Sequence, residues 1–149
     1  MRIAVVRCYV MKRLPRTLIL ILTIVSSGPY ILAQEAISTM DFVQILDGRK
    51  NETLFYYENN WKVHREKALA KGYIKSYQLL EAARGDGPAF DIVLITTYAN
   101  QEQYNKREEN FGLLIEAHGE RKLLNDLQPS EFRSIIFSRD PAIELVGGG

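Results

Sequence analysis

The sequence predicts an α+β domain: one four-stranded antiparallel sheet with two helices packed on one of its faces. Three observations predict it. Apolar segments follow one another in the order strand, helix, strand, strand, helix, strand. The first and third strands are the most apolar, as the two central strands of such a sheet should be. Those two strands are also apolar on both faces, whereas a half-solvated sheet alternates apolar with polar residues.

The elements follow in order. "TMDFVQIL", Thr39 to Leu46, has strand composition, and "DGRKN" is a turn. Asn51 is the expected helix cap, with Glu52 in the first turn. Leu54, Tyr57, Trp61, His64 and Ala68 then recur at spacings of three and four, one stripe of a helix. Gly72 suits the left-handed position that ends it. Tyr73 to Arg84 reads as the second strand, "GDGPA" as a loop, and Asp91 to Ala99 as the third strand. A second helix is expected from Gln101 to His118. "ERKLLNDL" reads as a further helical turn before Pro129, and Glu131 to Arg139 as the last strand.

A strand–helix–strand unit crosses over right-handed and leaves room for another strand between its two strands. Two such units interleave into one sheet, and their helices cover one face. Phe42 and Leu46 point to one side of the first strand, Val43 and Ile45 to the other. Ile92, Leu94 and Tyr98 oppose Val93 and Ile95 in the third. No segment remains to cover the second face, so a homodimer is expected, burying on the order of 1,600 Å².

The N-terminus reads as a targeting segment. "MKRLPRT" is a positive region, Leu18 to Val25 is apolar, and Ala33 precedes the expected cut. The apolar run is shorter than the ~20 residues that span a bilayer. The chain thus divides into a signal peptide at 1–33, a linker at 34–38, the domain at 39–140 and a tail at 141–149. Met11 with Lys12 and Arg13 is the more natural start, which makes residues 1–10 an extension of the gene model. Export to the periplasm or beyond follows, with no membrane partner after cleavage.

The first 33 residues carry five basic residues and no acid, leaving 14 basic against 18 acidic in the body. A mildly acidic body argues against nucleic acid, whose binders show a basic face. Cys8 is the only cysteine and lies in the removed part, which excludes a disulfide, a thiol nucleophile or a cysteine-held metal in the mature chain. Two histidines outside any ligand spacing make zinc an unsuitable guest. No cofactor is expected, and nothing local supports haem ligation by either histidine.

On "NNWKVHREKALAKGYIKSY" entering the second strand, and on the hairpin into "FDIVLITTYAN", the chain resembles the dimeric α/β-barrel superfamily over Thr39 to Arg139. That superfamily includes the antibiotic-biosynthesis monooxygenase, EthD and NIPSNAP-type proteins, and small exported bacterial members without assigned activity. The resemblance implies a ferredoxin-like βαββαβ fold and two sheets joined as a barrel. It also implies a cavity, where one exists, between a subunit's sheet and its helices. It does not choose a function.

His64 is the candidate general base, having an ordinary pKa of about 6.5. The plainer reading makes it a satisfied, partly buried histidine beside a core tryptophan, Trp61, and that reading is preferred. His118 is read as a cation favoured by the dipole at a helix end. Tyr57, Trp61, Gln44 and Tyr98 are the expected pocket residues, for a small apolar ligand. Arg133 and Arg139 either bind a carboxylate or guard an edge strand, the latter preferred. Three functions remain open: a binding module for a small apolar molecule, a cofactor-independent monooxygenase- or isomerase-like enzyme using His64, or a purely structural role for the dimer.

Overall fold

The computed structural model describes residues 35–83, 89–143 and 145. The expected signal peptide, most of the "GDGPA" loop and the terminal glycines lie outside them. β1 (Ile37–Ile45) leads into a helical run of α1 (Lys50–Tyr56), one π-turn (Tyr57–Trp61) and α2 (Lys62–Ala70). β2 (Ser76–Glu81), β3 (Ile92–Tyr98), α3 (Gln101–Asn105), α4 (Arg107–Glu116), α5 (Pro129–Phe132) and β4 (Arg133–Ile143) follow. The sheet runs β2-β3-β1-β4 with every neighbouring pair antiparallel. The fold is ferredoxin-like, as its element order requires.

Local chemistry explains most boundaries. Asp47 and Gly48 take left-handed conformations (φ 49° and 68°) that turn the chain out of β1. Gly72 does the same after α2, at φ 69°. Asn100 caps α3 by accepting from the Gln103 backbone N–H at 2.9 Å. Asn51, the expected cap of the first helix, lies one residue inside it, and Arg49 holds the cap position without a side-chain bond. The helix start is instead tied down by buried Thr53, whose Oγ1 contacts the carbonyls of Arg49 (2.8 Å) and Phe132 (3.0 Å).

Three expectations need correction. "ERKLLNDL" is not helical: Asn125 and Asp126 adopt left-handed backbone (φ 57° and 55°), which their short polar side chains tolerate. Helix Gln101–His118 is broken at Lys106 and ends at Glu116. Strands β1 and β4 run into the expected linker and tail, because Ile37 pairs with Tyr98 on one side and Ile143 on the other.

The helix-facing side of the sheet carries Ile37, Thr39, Asp41, Val43 and Ile45 from β1, in register with Tyr98, Thr96, Leu94 and Ile92 of β3. It is not one apolar surface. One core cluster joins Val43, Tyr57, Ile92 and Leu94; a second joins Ala68, Ile74, Tyr98 and Leu114. Thr39, Asp41 and buried Thr96 make a polar belt between them. The other face carries Met40 and Phe42 with Val93 and Ile95. There Phe42 stacks on Phe137, with ring centroids 4.1 Å apart at 15°, and meets Phe90 edge-on at 5.1 Å.

A shift in the β1–β4 register decides which side chains reach the helices. Phe42 pairs with Phe137 but Val43 pairs with Ile135, so one residue of β4 is extra. Simple alternation would put Arg133 and Arg139 on the same face. The bulge separates them: Arg133, opposite Ile45, faces the helices, and Arg139, opposite Met40, faces away.

Candidate functional site

A cavity of about 590 Å³ lies over the polar belt. Asp41 and Leu94 form its floor, Arg133 and Ile135 one wall, and the residues from Tyr56 to Arg65 another. His118 and the Gly119–Arg121 loop cover it. The size suits a small organic molecule.

The π-turn decides which helix side chains enter. It adds one residue to a turn, so the buried positions run Thr53, Tyr57, Asn60, His64 and Ala68. Such single π-turns are common at functional sites. Asn59 and Asn60 donate their amides to the carbonyls of Phe55 and Tyr56, at 2.9 Å each, where the helical spacing changes. Asn60 then clamps the covering loop. Its Nδ2 donates to the Lys122 carbonyl and its Oδ1 accepts from the Lys122 N–H, both at 2.8 Å. That pairing also takes the backbone polar groups a helix through Lys122 would have needed.

His64 and His118 meet inside the cavity, ring centroids 4.7 Å apart and 78° between planes. Burial, then the neighbouring His118, Arg65 and Lys67, lowers the His64 pKa to about 4. Its imidazole is therefore neutral at neutral pH. Tyr57 is pushed the other way by burial, against the pull of Arg133, and keeps its phenolic proton. Arg65 is held between the rings of Trp61 (4.6 Å) and Phe111 (4.2 Å) and donates to Thr96 Oγ1 at 3.3 Å. Burial lowers its pKa to about 10, which leaves it a cation. Arg133 lies over the rings of Tyr56 (5.0 Å) and Tyr57 (5.4 Å).

Four buried side-chain polar atoms among the described residues lack a hydrogen-bond partner: Tyr57 OH, His64 Nε2, His118 Nε2 and Arg133 Nε. All four residues line this one cavity. Each such atom costs about 1–3 kcal/mol while unpaired. The described residues hold no cluster of three or more His, Cys, Asp or Glu side chains suited to a metal ion.

Of the residues expected in a pocket, Tyr57, Trp61 and His64 line the cavity. Gln44 does not. It alternates with Val43 and so sits on the opposite face of the sheet, beside Phe42. Tyr98 is on the helix side but in the second core cluster, edge-on to Tyr104 at 5.6 Å. The plainer reading of His64 expected a satisfied ring, yet its Nε2 has no partner. His118, read as a helix-end residue, follows α4 as expected and also lines the cavity. Asp41, Asn60 and Arg65 were missed. A charge in the middle of an apolar central strand was the available signal for Asp41; nothing in the sequence singled out Asn60 or Arg65.

No family model matches the chain, and no curated protein matches it. Among solved structures, HapK from Hahella chejuensis is similar, with a TM-score of 0.46 and 11% identity over 76% of this chain and 95% of HapK. The chemistry of the cavity is therefore taken from its own side chains.

Proposed function

We propose that this chain binds a small molecule in the cavity between its helices and sheet, and that the ligand has a planar apolar body and a polar end. One observation carries the reading: the four residues that hold an unpartnered buried polar atom all line the same cavity. Groups so costly to leave unpaired fit a site completed by a guest. The expected wholly apolar ligand fits less well, because Asp41, Arg65 and Arg133 share the lining with Trp61, Leu94 and Ile135. Native mass spectrometry of the protein purified from its own host tests this. A retained small molecule, lost when Tyr57 and His64 are both replaced by Leu, supports it. A cavity that arrives empty and a melting temperature unmoved by any member of a metabolite library overturn it.

A catalytic reading has one specific support, the paired imidazoles with free Nε2 atoms. General-base work is most effective when the pKa lies near the working pH. At about 4, His64 is a neutral imidazole and a weak base at neutral pH. Binding is therefore the leading reading, and a cofactor-independent monooxygenase- or isomerase-like activity comes second.

The same reading includes membership of the dimeric α/β-barrel superfamily, export of the mature chain and a homodimer. The aromatic face around Phe42 and Phe137 supports the second copy. The basic, then apolar, N-terminal sequence supports export.

A further inference from the structure

Resting on the cavity as a binding site, we propose that its ligand is an aromatic carboxylate, whose negative group is met by Arg133 and the Tyr57 hydroxyl. The donor inventory points this way. Arg133 Nε can only donate. Tyr57 keeps its proton and donates as well. Each imidazole donates from Nε2 in the corresponding tautomer. A group with acceptors and no donors matches this inventory, and a carboxylate is the compact planar version.

Charge agrees. The inner lining holds the cations Arg65 and Arg133 against one anion, Asp41, and neither arginine has an ion pair among the described residues. Asp41 is already engaged, accepting from Ser138 Oγ at 2.6 Å. Glu120 and Arg121 on the exposed covering loop offset one another at the mouth. A net positive, partly desolvated site favours an anion over a neutral or cationic guest. The body of the ligand has apolar walls in Tyr56, Trp61, Leu94 and Ile135. Arg133 is fixed for its task, because its guanidinium rests on two tyrosine rings while Nε stays free.

The test is calorimetric titration of the full domain with 2-naphthoate and its uncharged analogue 2-naphthamide. The acid should bind about tenfold tighter or better, the margin of one charge-assisted hydrogen bond. Its affinity should weaken with added salt while that of the amide does not. Arg133→Met should remove the preference, by weakening the acid about tenfold or more. Arg139→Gln, on the other face, should change neither. Should Arg133→Met fail to fold, the wild-type salt response decides alone. Equal affinities, or a salt-independent preference, overturn the carboxylate assignment and leave the cavity reading standing. No binding of either compound at millimolar concentration overturns the cavity reading itself.

Discussion

The imidazole of His64 lies edge-on to that of His118, 4.7 Å between ring centroids, with neither Nε2 bonded to another side chain or to the backbone. One ring comes from the helix and the other from the loop that covers the cavity. Burial first, and the neighbouring ring second, disfavour a cation at His64. The contact with the covering loop therefore depends on a neutral His64, which couples the loop to pH.

Stability should fall on acidification. An unfolded histidine takes up its proton near pH 6.5, and folded His64 only near pH 4. Between those values the unfolded chain binds more protons, so stability drops as pH falls from 6.5 to 4, by about 3 kcal/mol at the limit. Urea denaturation at pH 7, 5 and 4 measures it. His64→Leu should flatten the slope across this window. An identical slope in wild type and variant would show that His64 does not titrate in that way.

Asn60 should prove the fastening of the loop. Its amide makes both bonds to Lys122 and one to Tyr56. Asn60→Ala leaves the Lys122 N–H and carbonyl without this partner, at a cost of about 1–3 kcal/mol. Hydrogen exchange should accelerate at residues 119–124 well before the sheet responds. Uniform acceleration over the whole domain would mean that Asn60 supports the fold rather than the loop.

The contrast between Phe42 and Asp41 shows what was legible in the sequence and what was not. Period-two alternation identified Phe42 and Val43 as facing opposite ways, and element order then dictated the sheet. In the structure Asp41 shares the helix side with Val43, but a lone acid in an apolar run gives no hint of what surrounds it. Gln44 was assigned to the pocket because a polar group on a central strand needs a partner; parity puts it on the far face. His118 and Arg133 came to the cavity through features with no local code, a loop folded back onto Asn60 and a one-residue bulge. The helix stripe was legible across the π-turn, since Tyr57, His64 and Ala68 are buried as its spacing required, while Asn60 joins them without a signal of its own.

Thr53 should report on the junction between α1 and α5. It is fully buried, and its hydroxyl reaches the carbonyls of Arg49 and Phe132. The Phe132 carbonyl also accepts from the Leu46 N–H at 2.9 Å, so it is not orphaned when the hydroxyl goes. Thr53→Val should therefore destabilise by only about 1 kcal/mol, visible as a lower urea midpoint at unchanged slope. A loss above about 3 kcal/mol would mean that the methyl-for-hydroxyl exchange disturbs the packing itself.

Phe42 tests the second copy. In a single protomer its ring stacks on Phe137 and touches Phe90, yet Val93, Ile95 and Met40 continue an apolar surface beside it that no helix among the described residues covers. Single exposed apolar side chains need no explanation, but a contiguous aromatic patch on a central strand does. Light scattering on the eluting mature chain should give twice the protomer mass at micromolar concentration. Phe42→Arg places a charge at the middle of the proposed contact, where an unpaired cation cannot be buried cheaply. The variant should run at protomer mass with unchanged far-ultraviolet circular dichroism, since its side chain can reach water once the partner leaves. A wild type that elutes as a protomer at high concentration removes the dimer altogether. A dimeric Phe42→Arg variant would instead move the contact to another face, and the helices on the opposite side would be the next to mutate.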